Sequence, residues 1–431
     1  MSIATQHEIE RLNRDCTCFT LDVGALCRAL EQVVGDPAFG RDLAVTHPHL
    51  LSAQPMFLSA AHAERMQEII GSIEAVARLS SYQSAVLELA PEIARFQPGP
   101  VGVFMGYDFH LGRDGPKLIE INSNAGGALI NAYLLQAQRA CCGEAMAAAT
   151  QFDLSALLAE FMASFQSEWR RQGRAGALGS IAIVDQSPAR QYLYPEFVLF
   201  QRLFEAHGIT AVIAAPEHLL QSDNALWCAE ERIDLVYNRL TDFYFERPES
   251  KMLRAAYLAG DVVVTPSPRV HALLASKQNL TLLSDEKTLR KWGVADEQIA
   301  TLLGGIPETV LLTGNNAEAC WARRNQLFFK PTAGFGSKAA YRGDKITRKV
   351  WGDILNAPYV AQEIVPPSAR TVAIDGEVQV MKADLRSYTY DGKVQLVAAR
   401  LYRGQTTNLR TPGGGFAPVF IGDGDLTQSC R

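Results

Sequence analysis

The chain has 431 residues, enough for two to four cores, and its 48% apolar and 20% charged content is ordinary for a globular protein. Its 41 basic and 46 acidic residues leave a net charge of -5 spread along the chain, so no basic field exists to draw in nucleic acid or an anionic membrane. No apolar run approaches the roughly 20 residues that cross a bilayer, and the acidic opening Met-Ser-Ile-Ala-Thr-Gln-His-Glu lacks the form of a secretory signal, which predicts a cytoplasmic protein.

Residues 1–95 read as mainly helical, with apolar residues at helical spacing over 60–89 and a break at Gln97-Pro-Gly-Pro100. A second segment, 96–175, changes period. Residues 101–111 and 117–122 predict a hairpin, followed by helices over 129–139 and 154–169. In 176–275, apolar strands at 180–185, 210–215, 233–238 and 261–265 alternate with helical stretches, the pattern of a separate α/β domain with a parallel sheet. Residues 276–370 form a smaller mixed region holding the lysine strand; from 359–365 onward the strands read as one antiparallel run, continuing in 371–431 at 377–390 and 394–402 before a glycine-rich loop. The eight cysteines are scattered, and neither Cys16-Thr-Cys18 nor Cys141-Cys142 has the partner pair of a metal or redox motif, so reduced thiols are expected.

Three segments carry chemistry. The first is Leu118-Ile-Glu-Ile-Asn-Ser-Asn-Ala-Gly-Gly127, in which Glu120 and Asn122 share one strand face while Ile119 and Ile121 take the other. If the hairpin tip is the three-residue loop Arg113-Asp114-Gly115, then Asp108 falls opposite Glu120 and Gly106 opposite Asn122, leaving room for a ligand. Two facing carboxylates repel, and a cation removes that cost; Mg²⁺ favours one or two carboxylates with amide, water or phosphate oxygens. Asp108, Glu120 and Asn122 are therefore the expected metal ligands.

The second segment is Phe328-Phe-Lys-Pro-Thr-Ala-Gly-Phe-Gly-Ser-Lys338. Lys330 ends an apolar strand, Gly334 and Gly336 let backbone approach phosphate oxygens, and Ser337 and Lys338 add a donor and a charge. It lacks the Gly-Lys-Ser/Thr of a Walker loop. Downstream, Tyr359-Val-Ala-Gln-Glu-Ile-Val365 ends at Pro366-Pro367 and offers an extended edge to an adenine ring. The third segment is a strand pair joined at Asp391-Gly392. Arg386 and Arg400 fall on opposite faces with a two-residue turn, and on one face with Asp384 opposite Arg400 if the loop has three residues. Arginine forks suit carboxylates and transferring phosphoryl groups, which makes Arg386 and Arg400 the catalytic candidates.

Together these segments resemble the ATP-grasp superfamily over about three quarters of the chain. Lys277 resembles its first nucleotide lysine, Lys330 its second, Gly305-Ile-Pro-Glu-Thr309 the lead-in to its small domain, and Gln362, Glu363, Ile364 and Val365 its adenine hinge. The metal set precedes the α/β domain, an order similar to the circularly permuted branch that holds eukaryotic-type glutathione synthetase and glutathionylspermidine synthetase. Val236-Tyr-Asn-Arg239 resembles that branch's carboxylate-binding strand, and Gly413-Gly-Gly415 its C-terminal lid loop. The branch's glutamate in the glycine loop is absent from 332–338, leaving Asp108 to complete the metal site, and no arginine just precedes Asp108, so glutathione synthetase itself is not implied.

The resemblance implies an α/β plus α+β multidomain protein. It would have an N-terminal helical region, the permuted metal segment at 96–175, a Rossmann-like pre-ATP-grasp substrate domain at 176–275, a small lid domain at 276–370 and core strands with a C-terminal loop at 371–431. It implies ATP and Mg²⁺ as cofactors and an ADP-forming carboxylate–amine ligase. The substrates are a small acid and an amine, an amino acid or short peptide, with Ser123, Asn124, Arg239, Asn408 and Arg410 as contacts. A homodimer is the assembly considered. The alternatives are a small-molecule kinase on the same scaffold and an ATP-binding regulatory or scaffold protein without turnover.

Overall fold

Residues 377–402 build the longest strand pair of the molecule; both faces of its first strand are buried over residues 383–389, while Val378 and Val380 near its start are exposed. The computed structural model describes residues 3–17, 20–139, 152–334, 339–374 and 376–422. In it, strands Glu377–Tyr390 and Lys393–Tyr402 meet over Asp391 and Gly392, both at positive φ (52° and 76°), as a two-residue hairpin turn of this hand requires. Such a turn alone would set Arg386 and Arg400 on opposite faces. A bulge prevents this: Thr389 pairs with Val394 but Tyr388 with Leu396, so Gln395 is the extra residue and Asp384 lies opposite Arg400.

The 101–122 hairpin uses the same device. Its tip is tighter than the three-residue loop expected from the sequence, since Gly112 pairs with Gly115 and Leu111 with Pro116. Phe109 then pairs with Leu118 and Asp108 with Glu120, so Ile119 bulges out and the expected pairing of Asp108 with Glu120 and of Gly106 with Asn122 is restored. Because of the bulge Ile119 does not join the apolar layer; it lines a cavity instead.

These two hairpins lie side by side in one seven-stranded sheet, Arg386 opposite Asp108, with Gly415–Gly422 and Met56–Ser59 extending one side and Ser368–Ile374 pairing the start of the long strand. The sheet joins residues more than 250 positions apart. Met56–Ser59 is an element that a helical reading of 1–95 leaves out; its four residues are all buried, and a run that short shows no period. The N-terminal segment is tied on by Arg370, fully buried, whose guanidinium donates to the carbonyls of Pro55 (2.7 Å), Asn13 (2.9 Å) and Cys16 (2.7 Å). Helices Ala60–Ala77 and Asp296–Gly305 cover one face through Met66, Ile69, Ile73 and Leu302.

The 180–265 stretch forms the expected parallel sheet, in the order Val263–Thr265, Leu235–Asn238, Ser180–Val184, Thr210–Ala214. A buried aromatic group, Phe104, Phe165, Phe200 and Tyr237 with ring centroids 5.2 to 6.3 Å apart, packs it against helices Leu154–Arg171 and Tyr194–Ala206. A third sheet is small and antiparallel: Thr309–Leu311, Tyr359–Glu363, Leu327–Pro331 and Tyr341–Arg342. Tyr359–Glu363 was expected among the C-terminal strands, and its place is beside the lysine strand. Among the described residues no helix is long and apolar enough to cross a membrane, and Cys27, Cys228 and Cys320 are free thiols.

Candidate functional site

In the small sheet Phe328 pairs with Gln362 and Lys330 with Val360, so Phe328, Lys330 and Gln362 project from one face. That face looks across a cavity of about 280 Å³ at the polar face of the large sheet. Lys330 bridges the two: its Nζ donates to the carbonyl of Ile119 at 2.8 Å and to Gln362 Oε1 at 2.7 Å. The Ile119 carbonyl reaches it because the bulge takes that peptide out of the ladder. Burial lowers the Lys330 ammonium to about 8, against the opposing pull of Glu120. Lys277 closes the other side, donating to the Gly334 carbonyl at 3.0 Å.

The extended segment after Tyr359 has most of its polar edge already in use. The Gln362 amide donates to Thr309 Oγ1 at 3.2 Å, the Glu363 N–H to the Glu308 carbonyl at 2.9 Å, and the Ile364 N–H to the Gln326 carbonyl at 2.8 Å. The Val365 carbonyl is held at 2.7 Å by His110 Nδ1. Burial pushes the His110 imidazole below its ordinary value, so the ring is neutral at pH 7 and Nδ1 carries its proton toward that carbonyl.

The opposite wall is the large sheet. Asp108 is 2% exposed. Arg386 binds it with both Nε and Nη2, each at 2.7 Å, and Arg400 Nη2 adds a bond at 2.8 Å. Arg400 Nε also meets the buried Asp384 at 2.6 Å, and Asp384 accepts from Thr407 of the C-terminal loop. Burial alone would raise the Asp108 carboxyl; the two guanidiniums outweigh it and hold it below the usual range. In this structure two arginines offset the charge of Asp108; its Oδ2 accepts from Arg386, Arg400 and Asn122, and its Oδ1 from Arg386 Nε. The sequence reading is corrected at Gly106, which leaves no room for a ligand: a Cβ there would lie 2.5 Å from Ala125 Cβ and 3.4 Å from Arg386 Nε. Glu120, by contrast, lines the cavity and accepts no hydrogen bond among the described residues. Asn122 donates its amide N–H to Asp108 at 3.1 Å, which leaves its oxygen for other use.

The cavity thus collects Asp108, Glu120, Asn122, Lys277, Lys330, Gly334, Gln362, Glu363, Ile364, Val365, Arg386 and Arg400 from five separate stretches of chain. Compared with solved structures, the chain matches a ligand-free glutathione synthetase-like effector from Globodera pallida at a TM-score of 0.55 and 13% identity, over 91% of this chain and 97% of that one. The chain shares the fold of that glutathione synthetase-like protein. Weaker similarities are to a gamma-glutamylcysteine synthetase-like protein from Methylobacillus flagellatus (TM-score 0.45, 11% identity, 83% and 87% covered) and to the ATP-grasp ligase PsnB complexed with a minimal precursor (0.30, 15%, 56% and 90%). No protein-family model matches the chain, and no curated protein matches it.

Within this fold the remaining candidates fall elsewhere. Gly336, Ser337 and Lys338 lie outside the described residues. Asn408 holds its own loop, donating to the Arg403 carbonyl at 2.9 Å and accepting from Thr411 at 2.9 Å, and neither it nor Arg410 lines the cavity. The Gly413-Gly-Gly415 stretch, expected as a lid, is packed against the sheet: a Cβ on Gly413 would meet Ile374 Cδ1 at 2.2 Å, and one on Gly415 the Leu50 carbonyl at 2.4 Å. Ser123 Oγ sits 2.8 Å from His271 Nδ1, and Asn124 donates to the Leu240 carbonyl at 3.0 Å.

Arg239 is buried beside Tyr237 and Phe197, bonds Tyr237 Oη at 3.2 Å and the Ala125 carbonyl at 3.4 Å, and has an Nε without a partner among the described residues. It follows strand Leu235–Asn238 as Asp185 follows Ser180–Val184, and the strand order reverses between those two strands, where open parallel sheets bind ligands. Burial raises Asp185 to about 6, with Arg239 opposing. Thr407, Tyr402 and Ile119 were not singled out as site residues; alternation along 400–402 and the bulge at 119 carry the only signals for them.

Proposed function

We propose that this chain is a circularly permuted ATP-grasp enzyme that joins a carboxylate to an amine, releasing ADP and phosphate. What carries the reading is the single cavity between the small sheet and the large one, where an extended edge, two lysines, a free carboxylate and two arginines converge from segments about 200 residues apart in sequence. In this reading residues 362–365 take the adenine, with the Val365 N–H as the donor left on that edge. Lys330 and Lys277 take the phosphates, and the glycine loop through Gly334, Gly336, Ser337 and Lys338 covers them. Arg386 and Arg400 neutralise charge on the transferring phosphoryl group, held by Asp108 and Asp384 in the geometry they need.

Glu120 and the Asn122 oxygen fit Mg²⁺. They are hard oxygen donors on one strand face, and among the described residues no cluster of three or more His, Cys, Asp or Glu offers a softer site. When bound, the ion would draw charge from the phosphates.

The acid is assigned to Arg239, Ser123 and Asn124. Ala125 links this place to the arginines: its carbonyl meets Arg239, and its Cβ lies within 2.5 Å of where a Gly106 Cβ would stand, next to Arg386. A carboxylate oxygen attacks the γ-phosphorus and ADP leaves, giving an acyl phosphate; the amine nitrogen then attacks the acyl carbon, phosphate leaves, and the amine gives up a proton. A second cavity of about 1070 Å³, meeting the first at Lys277 and Gly334 and walled by Phe243, Tyr244 and His271, gives the amine its approach. Hydroxylamine tests this directly. With acid, ATP and Mg²⁺ it should trap the acyl phosphate as a hydroxamate, whereas a phosphoester of a hydroxyl substrate would establish a kinase instead.

A further inference from the structure

The structure assigns His110 a role in choosing the nucleotide base, an inference that rests on the cavity of the proposed ligase being a nucleotide site. His110 stands two residues beyond Asp108 on strand Met105–Gly112 and so on the same face, and it lines the cavity together with residues 362–365. Its orientation is fixed from behind. A carbonyl can only accept, so the 2.7 Å contact with the Val365 oxygen makes Nδ1 the protonated nitrogen of the neutral ring. Nε2 is then a bare acceptor, and among the described residues it has no partner.

The rest of that edge is largely consumed. The Gln362 oxygen is used by Lys330 and its amide by Thr309, while the Glu363 and Ile364 N–H groups donate to Glu308 and Gln326. What remains beside the base includes one backbone donor, the Val365 N–H, and two side-chain acceptors, His110 Nε2 and the Glu363 carboxylate, of which only His110 is anchored to this edge by a hydrogen bond among the described residues. Adenine presents the complement, an acceptor at N1 and a donor at its 6-amino group. Guanine presents the reverse, a donor at N1 and an acceptor at O6, which would set acceptor against acceptor at His110. His110 is thus a positioning residue for the extended edge through Nδ1 and a base-selecting contact through Nε2.

The two ring nitrogens can be separated by substitution. In His110→Asn the amide nitrogen can keep the bond to the Val365 carbonyl, but nothing replaces Nε2; His110→Phe keeps the ring volume and loses both. Calorimetry of the full chain with Mg²⁺ and either ATP or GTP gives the preference as a ratio of affinities. Wild type should favour ATP, and His110→Asn should cut that ratio about tenfold while leaving the thermal unfolding midpoint unchanged. His110→Phe should lose the preference and also bind ATP more weakly.

An unchanged ATP-to-GTP ratio in His110→Asn overturns the base-selecting role. Equal binding of the two nucleotides by wild type overturns it too, and leaves the nucleotide site standing. Failure of wild type to bind either nucleotide removes the ligase reading itself, and this inference with it.

Discussion

Asp108 is where counter-ion and metal ligand can be told apart. Replacing it by Asn removes a charge that is 2% exposed and accepts three guanidinium bonds of 2.7 to 2.8 Å. Arg400 would keep Asp384 at 2.6 Å, but Arg386, itself buried, has no other acceptor among the described residues. Removing one partner of a buried ion pair costs about 3–5 kcal/mol, and with one arginine still paired the lower part of that range, about 3–4 kcal/mol, is expected. Urea unfolding measures it. Adding Arg386→Met to Asp108→Asn should cost less than the sum of the single changes, since the stranded cation is then gone.

The metal dependence is the second half of the test. Glu120→Gln removes a carboxylate that faces the cavity and supports no fold contact, so it should spare stability, raise the Mg²⁺ needed for nucleotide binding by about tenfold or more, and abolish turnover. Asp108→Asn should leave that Mg²⁺ requirement within about threefold of wild type. If Asp108→Asn costs under about 1 kcal/mol and instead reproduces the Mg²⁺ defect of Glu120→Gln, the counter-ion reasoning is refuted and Asp108 is a ligand.

Two other predictions follow from single side chains. Lys330 titrates near 8 because it is buried; phosphate binding favours its ammonium form, so above pH 8 the complex holds a proton that the free protein lacks. ATP affinity should be flat below about pH 7 and fall toward tenfold per pH unit above 8, with proton uptake seen by calorimetry in buffers of different ionisation heat, and Lys330→Arg should flatten the profile. A wild-type affinity unchanged up to pH 9 would contradict it. Gly106→Ala should destabilise by about 1–3 kcal/mol, because its methyl would meet Ala125 Cβ at 2.5 Å and press on Arg386; unfolding at the wild-type urea midpoint would show that the wall gives way there.

Most of the elements were legible because their periods are strong: the parallel strands between 180 and 265 and the long strands at 377–402 lie within a few residues of where alternation puts them. What the sequence hid were two pairings and one partnership. Tyr359–Glu363 reads equally well as a C-terminal strand, and only the small sheet's own core of Phe329, Trp351 and Ala361 pulls it to the lysine strand. Met56–Ser59 is too short for a period. The Asp108–Arg386–Arg400 group joins residues 278 and 292 positions apart, and no local rule links a carboxylate to arginines at that distance.

The bulges at Ile119 and Gln395 connect these omissions to the chemistry. Each follows a two-residue tip, and each moves one strand of its hairpin by one position, so that the site-facing residues of both hairpins come to the same face. Without the first, Glu120 would turn away from Asp108 into the apolar layer and Lys330 would lose the Ile119 carbonyl. Without the second, Arg400 would leave Asp384 and Asp108. The face so assembled, with Lys277 and Lys330 across from it, carries the carboxylates Asp108, Glu120 and Asp384, and the arginines bind Asp108 and Asp384. On that face Glu120 is the carboxylate with no such partner among the described residues, while Glu363 lines the cavity from the small sheet. A polyanion entering the cavity therefore meets two lysines that no carboxylate pairs, two arginines fixed in place by their own counter-ions, and one carboxylate placed to hold the cation that accompanies it.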